Sequence, residues 1–68
     1  MPTYLVEPPP FELRMAFMDA LEVSGIDYSR EAEGYLVYLR DDQRDAWERI
    51  RESCRATVLE EDPPMLFG

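Results

Sequence analysis

Histidine, lysine and asparagine are absent from this chain of 68 residues, cysteine occurs once and glycine three times. Each scarcity closes a class of protein. One cysteine cannot make an intrachain disulfide, and Cys54 without any histidine cannot supply the ligand set of a transition-metal site. Gly25, Gly34 and Gly68 stand too far apart to form a phosphate-cradling loop. No apolar run approaches the roughly 18 residues needed to span a bilayer. Met1-Pro2-Thr3-Tyr4 shows neither the basic start nor the apolar core of a signal peptide. A cytoplasmic location is the expectation, since a lone thiol persists in a reducing compartment.

Positive charge is also scarce. All seven basic residues are arginines, against 15 acids, for a net charge of -8. Five of those arginines fall between Arg40 and Arg55, where Asp41, Asp42, Asp45, Glu48 and Glu52 cancel them. The excess therefore lies in the rest of the chain, where only Arg14 and Arg30 oppose it. Direct nucleic-acid binding needs a basic surface and is not expected. A basic protein partner is.

No pattern of residues argues for catalysis. Cys54 has no histidine to act as its base and lies at helical spacing with Ile50, the setting of a small buried hydrophobe. Asp19, Glu22, Glu31, Glu33 and the Glu60-Glu61-Asp62 run read as solvated charge. Paired-carboxylate catalysis needs two acids in contrasting environments. A calcium loop needs oxygen ligands at alternating positions. An enzyme, a cofactor and a metal are all left without support.

The chain itself is organised around Gly34-Tyr35-Leu36-Val37-Tyr38-Leu39, its one uninterrupted run of strand-formers. Apolar at both parities, this run belongs in the middle of a sheet. Before it, Thr3 to Glu7 reads as a short strand stopped by Pro8-Pro9-Pro10. Phe11 to Ser24 reads as a helix closed by Gly25, and Ile26 to Arg30 as an alternating edge strand. After it, Asp41 or Asp42 is positioned to cap a second helix ending near Arg55. Ala56 to Glu60 makes a last strand. The order strand, helix, strand, strand, helix, strand is the ferredoxin-like βαββαβ, or split βαβ, pattern. It implies a four-stranded antiparallel sheet with the first and third strands central and both helices on one face. The rival is βαββα with a loose C-terminus. Residues 1–62 then form one small α+β domain, and 63–68 an apolar tail.

A chain of this size buries only about 60% of its unfolded surface, so a partner is a plausible source of added stability. Two apolar surfaces are candidates for it. In the first helix, Leu13, Ala16, Phe17, Ala20 and Leu21 make a core stripe, whereas Phe11, Met15 and Met18 line another side beside Glu22. On the open sheet face stand Leu36 and Tyr38, or Val37 if the parity is reversed. Tyr28, on the neighbouring strand, joins the candidate set. Met65, Leu66 and Phe67 complete the expected partner-binding set, either by docking on a partner or by folding back.

The order of elements is shared by many regulatory and interaction domains and does not fix a function. The expectation is a small acidic module, regulatory or inhibitory, that binds a partner protein or a second copy of itself. One alternative is an inhibitor whose carboxylates imitate nucleic-acid phosphates on a basic protein. Another is a dimeric small-molecule sensor built on Arg30, Tyr38 and Arg40.

Overall fold

The computed structural model describes residues 2–63. Met65, Leu66 and Phe67 lie outside the described residues. Four strands, β1 (Thr3–Val6), β2 (Asp27–Glu31), β3 (Gly34–Tyr38) and β4 (Val58–Glu61), form one sheet in the order β2-β3-β1-β4. Every neighbouring pair is antiparallel. Helix α1 (Phe11–Val23) follows β1, and helix α2 (Arg44–Ser53) follows β3 after a single 3-10 turn at Asp41–Gln43. The two most apolar strands are thus adjacent at the centre, and the two mixed strands take the edges.

Both helices cover the same sheet face. Tyr4, Val6, Tyr35, Val37 and Leu39 share one core with Phe17 and Leu21 of α1 and Trp47 and Ile50 of α2. Aromatic rings tie the layers together: Trp47 stacks on Tyr4 at 6.0 Å between centroids, and Phe17 meets Tyr35 at 5.4 Å. Alternation along the strands then assigns the opposite parity, including Leu5, Leu36 and Tyr38, to the open face.

The helix ends follow from backbone chemistry. Gly25 takes a φ of 70° just past α1, which places the Ile26 N–H on the Leu21 carbonyl at 2.9 Å and the Gly25 N–H on the Glu22 carbonyl at 3.1 Å. This is the Schellman closure, with Ile26 and Leu21 both buried as its apolar contact. Helix α2 ends in the same way, the Ala56 N–H reaching the Arg51 carbonyl at 2.9 Å, but here Arg55 occupies the left-handed position at φ 55°. Gly34 is needed for another reason. At φ 149° it lies so close to the Val6 carbonyl that a Cβ would collide with it.

Three details differ from the sequence reading. Asp41 and Asp42 lie in the 3-10 turn and do not cap α2. The side chain that organises this end is Gln43, whose Oε1 accepts the Arg40 N–H at 2.9 Å while its Nε2 donates to the Gly25 carbonyl at 2.8 Å. A side chain that satisfies both ends of the connection displaces the shorter aspartates from the role. Ala16 is exposed, because the buried face of α1 is centred between Phe17 and Leu21 and Ala16 sits about 120° around the helix from it. A bulge in β4, between the pairs Leu5–Glu60 and Val6–Val58, leaves Leu59 without a partner across the strand. Strand β4 runs Val58–Glu61, starting two residues later than expected.

Candidate functional site

The residues singled out from sequence divide between two surfaces. Phe11 and Met15 stand one turn apart on α1 and are 80% and 68% exposed, beside Val23 and Leu59 as the exposed large apolar residues of the described chain. The Arg14 guanidinium lies over the Phe11 ring at 5.7 Å, and its Nε donates to the Pro9 carbonyl at 2.9 Å. Phe11 is thereby flanked by a fixed cation instead of being covered by apolar groups. Met18 belongs to the same stripe by spacing but is half-buried against the core. It lies at the boundary of the two faces, on the side toward Leu21.

Further along the stripe, Glu22 accepts a hydrogen bond from the Tyr28 hydroxyl at 3.1 Å. Burial, and then this carboxylate, push the Tyr28 phenol above its ordinary value. The bond links α1 to the edge strand β2 and continues the stripe onto the sheet. Glu12, Asp19 and Glu22 are exposed along α1, with Arg14 the one opposing charge on that helix.

Leu36 and Tyr38 are separate from this surface. They point to the open sheet face, where Leu36 pairs across the strands with Leu5 on one side and Ser29 on the other. Leu36 is only 8% exposed, and Tyr38 is half-buried with its hydroxyl 3.3 Å from Ser29 Oγ. The open face therefore presents less bare apolar surface than α1 does. The Arg30, Tyr38 and Arg40 group does not assemble. Arg30 pairs with Tyr35 on the helix side of the sheet, opposite to Tyr38, and Arg40 lies 3.7 Å from Asp42.

Cys54 is buried and its thiol is pushed up by that burial, the reverse of what a nucleophilic thiolate requires. Among the described residues, no group of three or more His, Cys, Asp or Glu side chains is placed to hold a metal ion. No helix among them is long and apolar enough to cross a membrane.

Sequence reasoning missed a cleft between α2 and β4, with a volume of about 660 Å³. Its floor is the stacked pair Tyr4 and Trp47, and its walls carry Arg44 and Arg51 on the helix and Val58 and Glu61 on the strand. Arg51 is held by Glu48 through two hydrogen bonds of 3.2 Å. That contact with Arg51 also lowers the Glu48 carboxyl below its usual range. Nothing local in the sequence signals such a cleft, because its two walls meet only through the packing of α2 on the sheet.

Comparison of the chain with family models, curated proteins and solved structures finds no match.

Proposed function

We propose that this protein is a protein-binding module whose contact surface is the outer side of α1, continued to Tyr28 on β2. The observation that carries the proposal is the exposure of Phe11 and Met15 at 80% and 68%, one turn apart on a helix whose Phe17 and Leu21 are drawn inward. Phenylalanine beside a flexible methionine gives an adaptable apolar anchor of the kind that dominates interface energetics. Glu12, Asp19 and Glu22 frame it, so the partner is a protein with basic residues around an apolar pocket. Charge of opposite sign speeds encounter and sets orientation, while the apolar centre supplies the holding energy. The module acts by occlusion or assembly, as a regulatory or inhibitory subunit, and not by catalysis.

The arrangement belongs, in this proposal, to the ferredoxin-like, split βαβ class. The strand order β2-β3-β1-β4 with β1 and β3 central, and both helices on one face, supports that assignment. A cytoplasmic site of action is part of the proposal and is compatible with the free, buried thiol of Cys54.

Affinity capture from native extract tests it, with the parent chain and Met15→Glu as paired baits at low and high salt. The proposal requires a protein retained by the parent at low salt, reduced at high salt and lost with Met15→Glu. Equal retention by the two baits would refute the assignment of the surface.

A further inference from the structure

We infer that the cleft between α2 and β4 is a second, separate binding site, which takes an extended basic peptide as a fifth strand beside β4. Among the described residues, the order β2-β3-β1-β4 leaves β4 with a neighbour on one side only. The Asp62 N–H donates to the Thr3 carbonyl, so the alternation of an antiparallel ladder turns the N–H and C=O of Glu61 toward the open edge. These groups lie in the wall of the cleft, and main-chain pairing to such an edge is a general mode of peptide recognition. The cleft gives the added strand somewhere to place a side chain. Val58 and Ala56 line it above the buried Tyr4–Trp47 pair, and its volume of about 660 Å³ admits a large apolar group.

Charge selects the occupant. Glu60, Glu61 and Asp62 follow one another along this edge, with Glu60 and Glu61 both exposed and on opposite sheet faces. A second copy of the chain pairing there would set acids against acids, and like charges opposite one another in a sheet are destabilising. A neutral strand gains only the main-chain pairing, and an acidic one is repelled. A strand with adjacent Lys or Arg residues opposite Glu60 and Glu61, followed by an apolar residue for the cleft, meets one carboxylate on each face. The bulge at Leu59 and the left-handed Asp62 limit the pairing to a short segment.

Selection of displayed random nine-residue peptides on the full chain is the test. Binding of the enriched peptides is then mapped by backbone amide shifts. The expected result is enrichment of peptides with adjacent basic residues and a nearby apolar one, with shifts concentrated on residues 56–62 and along α2. The charge-reversed double variant Glu60→Lys, Glu61→Lys should bind them about tenfold more weakly. Glu33→Arg, in the turn at the far edge of the sheet, should bind them as the parent does. No enrichment, or shifts centred on Phe11 and Met15, would overturn the site. Neither outcome touches the α1 proposal adversely, so the two surfaces fail independently.

Discussion

Arg55 holds a backbone conformation that L side chains rarely adopt, at φ 55°, and it does so because the closure of α2 requires it. A glycine in that position would lose the steric cost of the left-handed region, at about 1–2 kcal/mol, and regain part of it as unfolded-state entropy. Arg55→Gly should therefore raise stability by about 0.5–1 kcal/mol, a rise of several degrees in Tm for a chain of this size. A thermal melt with an unchanged or lower midpoint would show that the arginine side chain contributes more than its backbone costs. Cys54 gives a pH dependence. Its thiol is raised by burial, so the folded state keeps the proton to higher pH than the unfolded state does. The contribution of Cys54 is constant below about pH 8.5, the ordinary thiol value, and declines as pH rises from there toward the folded value. Cys54→Ala should flatten that alkaline decline in urea titrations between about pH 8 and 10. An undiminished slope would assign it to other groups, such as Tyr28.

Among the elements, α2 depends on one residue more than any other. Trp47 is 3% exposed and touches Tyr4 from β1 and Phe17 from α1, so it joins three elements. Trp47→Ala should cost about 3–5 kcal/mol, enough to threaten the fold. A parent-like melting curve would contradict the packing. Ala46, Trp47, Ile50 and Cys54 fall at helical spacing, which suffices to turn this tryptophan inward from sequence alone. Equally legible is the two-sided apolar character of Tyr35 to Leu39, which belongs to a central strand. Other features left no local signal. The closure at Gly25 is legible because glycine advertises the left-handed position, whereas the identical closure at Arg55 is invisible. The bulge at Leu59 arises from the register between β1 and β4, which no spacing encodes. The Phe11, Met15 and Met18 stripe was legible as a stripe, but its division depended on where the core centre fell. A rotation toward Leu21 left Met15 outside and took Met18 partly in. On the open face Leu36 is only 8% exposed and Tyr38 is half-buried, a degree of cover that the alternation of the strand does not encode.

At the scale of the molecule, charge and size pull against each other. A chain of 8.0 kDa carrying -8 repels its own copies. Self-association through α1 would bring Glu12, Asp19 and Glu22 against their counterparts unless the crossing separated them. The isolated chain should therefore scatter light as a monomer at low salt, with any self-association appearing only once salt has shortened the screening length to about 10 Å or less. A stable dimer at low ionic strength would favour the homodimer over a basic hetero-partner. The same repulsion should ease with salt within one chain, so the midpoint of unfolding should rise modestly as salt is added. The central claim is that a basic protein sits on the outer side of α1. Photo-crosslinking in the native cells tests it most directly, with a photoreactive residue at position 15 in one protein and at position 38, on the open sheet face, in another. The claim predicts one discrete adduct with a basic protein from position 15, weakened by salt in lysate and missing from position 38. An adduct from position 38 with none from position 15 would contradict it.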